Sequence, residues 1–254
     1  MSPIIVIIKD DLRIHDNPAL YHASLERKPL IILYIFDNSK DQLSEGQARL
    51  WWLSKSIKNF DLSLRKKNSR LIFKIGNSLE ILKKLVNETK PCGIFFNKSY
   101  RPSYLKCEKE IQGEFSRFIV VKAFNSKLLF EPETFKNKSG SYFKVFTPFW
   151  KTCFNSRNEI SKPLPEPELI SYDKEIPSDN IDSILKGYYG WSKKLENYWS
   201  IGEDIAIERF NKFCQKNIFQ YKQSRDFPGL EATSNLSPYL VSGEISIRKI
   251  WHDT

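Results

Sequence analysis

The sequence is poor in the residues that build metal centres and redox motifs, with four cysteines and three histidines among 254 residues. The cysteines stand at positions 92, 107, 153 and 214, and no two of them form a C-x-x-C pair. This spacing indicates neither a zinc site nor a dithiol redox centre. We therefore expect free thiols, no metal and a reducing, cytoplasmic environment.

Long apolar stretches and cleavable leaders are also missing. The longest apolar runs, such as residues 4–8, are far shorter than the roughly 20 residues that a membrane-spanning helix needs. The first residues, MSPIIVIIKDD, contain neither a basic leader nor a cleavage site. The sequence thus predicts a cytoplasmic protein without a membrane partner.

The two common glycine-rich phosphate loops are absent as well. There is no G-x-G-x-x-G after the first apolar run and no G-x-x-x-x-G-K-S/T at any position. Both loops let backbone N–H groups approach a phosphate closely. Their absence argues against ordinary dinucleotide or nucleoside-triphosphate binding at the first strand-to-helix crossover.

What the sequence does have is positive charge. Lys and Arg number 40 against 30 Asp and Glu, which gives a formal net charge of +10 at pH 7. An excess of this size suits a polyanionic partner such as nucleic acid. Because most of the cations are lysines, a solvated surface without a dedicated patch is the alternative.

Apolar patterning predicts an α/β fold. Five short runs rich in β-branched residues are typical of strands that are buried on both faces of a parallel sheet. They lie at residues 4–8, 30–36, 71–75, 93–97 and 119–124. Between them, residues 45–65 and 78–89 repeat apolar side chains at helical spacing. Alternating strands and helices predict a doubly wound, Rossmann-like parallel sheet.

The pattern changes after the fifth predicted strand. Four prolines between positions 163 and 177 lie in a polar stretch that cannot form a long helix or a central strand. Beyond it, residues 203–217 have helical spacing, and a second helix is expected to open near Ser237. The predicted units are an α/β domain at 1–130, an interdomain linker at 131–195 and the start of an all-helical domain at 196–254.

The most distinctive motif follows the first predicted strand, where residues 9–20 are K-D-D-L-R-I-H-D-N-P-A-L. Asn17 and Pro18 fit the N-cap and first-turn positions of a helix, and this structural role alone would explain them. The motif nevertheless resembles the D-L-R-x-x-D-N-P-A-L signature that opens DNA photolyases and cryptochromes. Three further segments resemble the same family, at residues 45–57, 95–102 and 139–150.

Taken alone, parts of these segments have a simpler interpretation. Trp51 and Trp52 could be core residues, and residues 146–150 could form a buried corner. The order and spacing of the segments favour the family resemblance instead. The chain resembles a class I cyclobutane-dimer photolyase that is truncated at its C-terminus. This resemblance implies an antenna-type α/β domain followed by the beginning of a helical flavin-binding domain.

The segment most informative about function spans residues 221–251 and contains T-S-N-L-S-P-Y-L. Thr233, Ser234 and Ser237 place hydroxyl groups where a helix opens at Pro238, which suits a diphosphate. A serine N-cap followed by proline is the simpler interpretation of an isolated S-P. The resemblance implies that this segment binds FAD.

The resemblance assigns six residues to FAD and one to DNA. The implied FAD-binding residues are Tyr221, Thr233, Ser234, Asn235, Leu236 and Ser237. Arg225 matches an arginine that contacts DNA near the lesion in the family.

Two residues depart from the family pattern. Asn235 stands where the family often has arginine, so flavin or DNA affinity is expected to differ. Arg101 stands where folate-antenna members have a carboxylate, which argues against a folate antenna and leaves a deazaflavin, a second flavin or no antenna.

The sequence ends just after the first flavin-binding helix opens, so no catalytic residue is assigned. The implied function is light-dependent repair of pyrimidine dimers in DNA, and a cryptochrome-like photoreceptor and a non-catalytic remnant are the alternatives. The expected partners are DNA with pyrimidine dimers and a separate chain that supplies the missing helical half. The second partner is expected because the apolar faces of residues 203–217 and of the helix at Pro238 could not close a core between themselves.

Overall fold

The fold is built on a single five-stranded parallel sheet, and the computed structural model describes residues 1–38, 46–137, 139–185 and 190–254. The strands are β1 Ile4–Ile8, β2 Leu30–Phe36, β3 Leu71–Ile75, β4 Gly93–Asn97 and β5 Val120–Phe124. Their order in the sheet is β3-β2-β1-β4-β5, and every neighbouring pair is parallel. The order reverses between β1 and β4, so the topological switch point lies at the carboxyl ends of these two strands. The predicted doubly wound α/β fold is confirmed.

Four helices connect the strands, and apolar clusters fill both faces of the sheet. These helices are α1 Pro18–Leu25, α2 Gln47–Lys66, α3 Ser78–Thr89 and α4 Pro102–Phe115. In the part of the chain after the sheet, the helices that the structure describes are α5 Phe146–Asn155, α6 Ser192–Glu196, α7 Glu203–Lys212, α8 Tyr221–Ser224, α9 Ser237–Ser242 and α10 Ile247–Asp253. Short 3-10 turns lie at Arg157–Glu159, Ile181–Ile184 and Ile218–Gln220.

Most element bounds agree with the sequence pattern, and β5 is the correction. β5 begins at Val120, one residue later than predicted, and it is not buried on both faces, because it is an edge strand and Val120 is 52% exposed. The helix predicted at 45–65 is α2, and the predicted first residue lies outside the described residues. The helix predicted at 203–217 is α7 followed by a π-helical turn at Phe213–Asn217. The buried corner suggested by the sequence at 146–150 is wrong, because its first side chain is 72% exposed.

The predicted linker is bound to the sheet by hydrogen bonds. The Leu30 N–H donates to the Ile170 carbonyl at 2.7 Å, and the Asp179 N–H donates to the Phe73 carbonyl at 2.8 Å. The Asp179 carboxylate also accepts from the Ile75 N–H at 2.8 Å. The two bonds to Asp179 occupy the outer edge of β3, and the Leu30 bond covers the start of β2, which β3 does not reach. These backbone groups would otherwise be unpaired. The domain bounds at 130 and 195 stay a prediction.

Arg13 joins the loop after β1 to two distant parts of the chain. The buried Arg13 guanidinium donates to the Gly243 carbonyl at 2.9 Å, to the Ser126 hydroxyl at 2.6 Å and to the Asp16 carbonyl at 2.9 Å. The Asp16 carboxylate in turn accepts from the Arg248 guanidinium at 2.6 Å and is fully buried. Because a buried charge that loses its partner is strongly destabilising, these contacts fix α9 and α10 against the sheet.

Polar side chains beneath this loop are bonded to one another. The buried Asp11 carboxylate accepts from the Asn97 amide at 2.5 Å, and burial is the main cause that raises the pKa of Asp11. Asn97 also accepts from the Ala19 N–H, and Asn17 caps α1 by accepting from the Leu20 N–H. The predicted N-cap role of Asn17 is thus confirmed. The D-L-R-x-x-D-N motif has a structural role at the junction of β1, β4 and α1.

A third apolar cluster closes the C-terminal helices onto α2. Trp51 and Trp52 are buried, as the core interpretation predicted, and they pack with Phe210 of α7 and with Leu236 and Tyr239. The α7 and α9 faces thus do not close a core between themselves, as the sequence predicts, but they are not left uncovered. Helix α2, from the α/β part of the chain, supplies the other side of that core.

Gly243 provides a test of how closely the C-terminal helices approach β1. Its backbone has a left-handed φ of +70°, and a Cβ added there would lie 2.0 Å from the Asp10 carbonyl oxygen. We expect Gly243→Ala to lower the free energy of unfolding by about 3 kcal/mol, because backbone strain and steric overlap add. Urea denaturation measures this change.

Gly113 supplies the matched control. It lies within α4, and no heavy atom comes within 4 Å of an added Cβ. Gly113→Ala should leave stability unchanged or raise it by about 0.5–1 kcal/mol, since alanine is the better helix former. Similar effects of the two substitutions would contradict the close approach of Gly243 to Asp10.

Candidate cofactor cleft

A cleft of about 360 Å³ opens between α7, the segment 197–200 and the loop that precedes α9. Three of the residues predicted to bind FAD line this cleft, namely Thr233, Ser234 and Asn235. The structure therefore brings half of the predicted set to one concave surface. Clefts of this size are typical of small-molecule and cofactor sites.

The loop before α9 owes its shape to Asn235 and Leu236. Asn235 has a left-handed φ of +52°, which asparagine adopts more readily than most residues. Its side-chain oxygen accepts from the Thr233 hydroxyl at 3.2 Å. Leu236 is buried in the same apolar cluster as Trp52 and Tyr239. Leu236 thus anchors the loop, while the residues before it line the cleft.

Ser237 is the first residue of α9, and Pro238 follows it. The N-cap position is held by Leu236, which has no capping side chain, so the simple serine N-cap interpretation is wrong. The Ser237 side chain is exposed and is not among the residues that line the cleft. Its assignment to FAD stays a prediction.

Tyr221 and Arg225 lie outside the cleft lining. The Tyr221 ring meets the Phe213 ring edge to face at 5.8 Å, and Phe213 does line the cleft. Tyr221 therefore packs against the outer side of a cleft residue and does not line the cleft itself. The Arg225 guanidinium lies 5.8 Å from the Tyr221 ring and is about half exposed, 3.7 Å from the exposed Asp226. An exposed guanidinium is compatible with the predicted DNA contact, which stays a prediction.

Sequence reasoning missed two cations in the cleft, Arg209 and Lys212. They are three residues apart on α7 and so share a face of that helix. The Arg209 guanidinium lies 5.3 Å from the Trp199 ring and 5.7 Å from the Tyr239 ring. Its Nε is buried without a hydrogen-bond partner among the described residues. Helical spacing indicates that Arg209 and Lys212 share a face, but it does not indicate that this face lines a cleft.

A carboxyl group lies behind the aromatic wall of the cleft. The fully buried Glu244 accepts from the Trp52 indole N–H at 3.0 Å, and burial raises the pKa of Glu244 to about 7. The Trp52 ring lies 5.4 Å from Trp199 and 5.0 Å from Tyr239. The position of the wall is therefore coupled to a carboxyl group that titrates near neutrality.

A second carboxyl group fixes the start of α7. Glu203 accepts from the backbone N–H groups of Ile14 at 2.7 Å and His15 at 2.9 Å. Burial raises the pKa of Glu203 to about 7, although both hydrogen bonds oppose the shift. The helix that carries Arg209 is thus attached to the loop after β1.

A separate crevice of about 490 Å³ lies at the switch point between β1 and β4. Asp10 is nearly buried there, with Lys127 at 3.1 Å, Arg101 at 3.6 Å and Arg49 at 3.7 Å from its carboxylate oxygens. Burial lowers the pKa of Lys127, and the nearby Asp10 opposes that shift. The charged residues that line the crevice are the cations Arg13, Arg101 and Lys127 and the acid Asp10 within the described part of the chain, and a mainly basic lining suits an anionic ligand.

Across the described ranges, no helix combines the length and the apolar character needed to cross a bilayer. Within those same ranges, no cluster of three His, Cys, Asp or Glu side chains is arranged to hold a metal ion.

Comparison with known proteins agrees with the fold. The family model described as DNA photolyase matches residues 4–168. The deoxyribodipyrimidine photo-lyase of Agrobacterium fabrum is 34% identical over 100% of this chain and 53% of its own length. Cryptochrome-1 of Arabidopsis thaliana is 31% identical over 98% of this chain and 37% of its own length. Fold and sequence place the chain among the photolyase and cryptochrome proteins. The chain belongs to the DNA photolyase family.

Solved structures support the same assignment. The crystal structure of a class III photolyase from Agrobacterium tumefaciens has a TM-score of 0.92 and 33% identity, and it covers 99% of this chain and 52% of that chain. A Sulfolobus tokodaii photolyase with two FAD molecules has a TM-score of 0.80 at 23% identity, which shows a shared fold alone. The chain spans about half the length of the curated photolyases it matches. The expected class I type stays a prediction.

The raised pKa of Glu244 makes stability depend on pH. The unfolded carboxyl loses its proton near pH 4.5, and the folded one keeps it to about pH 7. The folded state therefore binds more protons between these values, so the contribution of Glu244 to stability falls as the pH rises from about 4.5 to 7. Glu244→Gln keeps an acceptor for Trp52 and removes this titration.

We therefore expect the stability of Glu244→Gln, measured relative to the wild type, to increase from pH 5 to pH 8 by about 3 kcal/mol at most. Urea unfolding of both proteins across the pH range measures the difference. Changes in His15, His22 and Glu203 occur in both proteins and cancel. Parallel stability curves for the two proteins would show that Glu244 titrates normally.

Proposed function

We propose that this chain is the antenna and flavin-diphosphate half of a light-dependent enzyme that repairs cyclobutane pyrimidine dimers in DNA. The observation that carries the proposal is the cleft beside α7. The hydroxyl-bearing Thr233 and Ser234 line it together with the cations Arg209 and Lys212. This combination suits the diphosphate of FAD, since charged donors and hydroxyl groups both bond phosphate oxygens.

The residues present fit that group. The buried Nε of Arg209 lacks a hydrogen-bond partner among the described residues, and an unsatisfied buried donor is costly unless a ligand completes it. Glu208 and Glu231 also line the cleft, and their carboxylates suit ribose hydroxyls better than phosphates. Trp199 gives the cleft an aromatic side. A dinucleotide with a diphosphate, a ribose and flat rings meets all three kinds of surface.

These contacts indicate what bound FAD and the chain itself would each contribute. Bound FAD would supply the photochemical electron transfer, and this chemistry belongs to the flavin. The chain itself would hold the diphosphate with Thr233, Ser234 and Arg209, and would orient the cofactor against the Trp199 wall. Asn235 keeps the loop in its left-handed turn, and Leu236 anchors it. We assign no described residue to direct contact with the dimer, so none is called catalytic.

A cryptochrome-like photoreceptor is the alternative supported by a specific observation, the 31% identity to Cryptochrome-1. Two features favour repair. The net charge of +10 suits a DNA partner, and Arg225 is exposed in the segment that resembles the family's DNA contact. A non-catalytic remnant would leave Arg209 without a ligand, and blue-region flavin absorbance of the assembled protein distinguishes it from both.

The switch-point crevice supports a second chromophore in the same proposal. In open α/β sheets, ligands bind at the carboxyl ends of the strands where the order reverses. Arg101 lies there beside Asp10 and Lys127, so an anionic chromophore fits better than one that needs a carboxylate from position 101. A deazaflavin or a second flavin meets this requirement, and folate recognition through a carboxylate at 101 does not.

The partner that we propose is DNA containing pyrimidine dimers, which the net charge of +10 suits. The chain spans about half the length of the curated photolyases it matches, so repair by the whole protein is part of the proposal.

Flavin binding tests the cleft directly. We expect the isolated chain to purify without stoichiometric flavin, because it encloses the diphosphate but not the rings. In equilibrium dialysis, Arg209→Gln should weaken the residual FAD binding by about tenfold, since a hydrogen bond to a charged group contributes about 1.5–3 kcal/mol. Arg117→Gln is the matched control, because Arg117 is exposed and lies in the turn between α4 and β5. Equal binding by the two variants would rule out the cleft.

DNA binding tests Arg225. In the assembled enzyme, Arg225→Ala should weaken binding to dimer-containing DNA and reduce the slope of log affinity against log salt by about one phosphate contact. Fluorescence anisotropy at several salt concentrations measures both quantities. Lys222→Ala removes an exposed cation from α8, the helix that Arg225 follows as the C-cap residue, and so separates general charge from a specific contact. An unchanged affinity and slope in Arg225→Ala would refute the assignment.

A further inference from the structure

A buried carboxyl group lies behind the aromatic wall of the cleft, and the proposed diphosphate contacts do not use it. Glu244 follows the C-cap residue of α9 and is 0% exposed. Its Oε2 accepts from the Trp52 indole N–H at 3.0 Å, whereas its Oε1 has no hydrogen-bond partner among the described residues. Burial disfavours the charged form of a carboxyl group unless several hydrogen bonds compensate. The geometry therefore accounts for the pKa of about 7.

The groups that face Glu244 do not cancel the effect of burial. They lie on α2, on α9 and just before α7, and they are Arg49, Trp52, Ser56, Tyr239 and the Gly202 N–H. Arg49 is the charged member of this set, and guanidinium groups keep their charge in proteins. It also lies 3.7 Å from the Asp10 carboxylate, so its charge is shared. Burial raises the pKa of Tyr239, so its hydroxyl keeps its proton at neutral pH. Glu244 is the member of this set that changes charge near neutrality.

A short series of contacts joins Glu244 to the ligand side of the wall. The Trp52 ring, which donates to Glu244, lies 5.0 Å from the Tyr239 ring and 5.4 Å from the Trp199 ring. The Arg209 guanidinium lies 5.7 Å from the Tyr239 ring and 5.3 Å from the Trp199 ring. Trp199 and Arg209 line the cleft. Because closely packed interiors transmit small displacements, a change at Glu244 reaches the side chains that face the ligand.

We propose that Glu244 is a positioning residue that makes the affinity of the cleft for the FAD diphosphate depend on pH, and this inference rests on the FAD binding proposed above. A charged Glu244 places a negative charge behind the wall, where protein and not water surrounds it and screening is weak. This charge repels an anionic diphosphate and attracts the Arg209 guanidinium that would otherwise bond the ligand. A neutral Glu244 has neither effect. The affinity of the cleft is therefore expected to fall as the pH rises through about 7.

The same linkage acts in the reverse direction. A ligand that binds the protonated form better must raise the pKa of Glu244 by the corresponding amount. Binding of FAD at neutral pH should then be accompanied by net proton uptake, since more of the Glu244 population is protonated in the complex. The diphosphate of FAD is esterified at both ends and has no ionisation near neutrality, so the ligand does not contribute to this uptake.

Glu203 is the matched control, because it titrates in the same range but acts elsewhere. Burial raises its pKa to about 7 as well, and it lies on the same helix as Arg209. Its carboxylate, however, bonds the backbone of the loop after β1, through the Ile14 and His15 N–H groups. Its titration is thus expected to act on that loop and not on the aromatic wall.

Equilibrium dialysis of FAD against the chain at about pH 5.5 and about pH 8.5 tests the inference. The wild type should bind FAD about threefold more weakly at the higher pH, and Glu244→Gln, which keeps an acceptor for Trp52, should bind it equally at both. Glu203→Gln should keep the wild-type dependence. Thermal melts check that each variant is folded. Isothermal titration of the wild type in two buffers of different ionisation enthalpy measures the proton uptake without any substitution.

The results distinguish this inference from the flavin proposal. A wild-type affinity that is the same at both pH values, or an unchanged pH dependence in Glu244→Gln, overturns the role of Glu244 and leaves FAD binding in place. Loss of the dependence in Glu203→Gln assigns it to the loop after β1 and overturns that role equally. The absence of proton uptake contradicts the linkage. Failure of the wild type to bind FAD at either pH overturns both proposals.

Discussion

The interaction on which the structure depends is the set of hydrogen bonds that the buried Arg13 guanidinium donates. Its partners lie in the loop after β1, in the segment after β5 and at the C-terminal end of α9. Burial lowers the pKa of Arg13, and the neighbouring Asp16 opposes that shift most strongly. A guanidinium carries five donors in a fixed fork, so a single side chain can satisfy carbonyls from several segments at once. The β1 loop is thus held where the α/β part and the helical part meet.

The candidate cleft depends on the same loop. Glu203 attaches the start of α7 to the loop, and Arg248 attaches α10 to it through Asp16. Helix α7 then presents Arg209 to the cleft, and the core beneath Trp52 fixes the opposite loop through Leu236. The family signature after β1 therefore influences the cleft indirectly, because its backbone fixes the start of α7.

Sequence periodicity predicted the sheet well and the cleft incompletely. The bounds of β1 and β4 follow directly from runs of Ile, Val and Phe, because interior parallel strands are apolar on both faces. The same rule failed for β5, because the sequence Val120–Phe124 does not show that this strand lies at the edge of the sheet. The loop residues Thr233, Ser234 and Asn235 were predictable from the family motif, whereas Arg209 was not. Its role depends on Trp199 and Tyr239, which are distant in sequence and meet only in the folded chain.

The central claim is that the β1 loop makes the sheet and the C-terminal helices one cooperative unit. Hydrogen–deuterium exchange with mass spectrometry across a urea series measures this directly. Peptides from β1 and from α9 and α10 should lose protection at the same urea concentration, because opening either part breaks the bonds of Arg13 and Asp16. Loss of protection in α9 and α10 at a clearly lower urea concentration, with β1 still protected, would contradict the account.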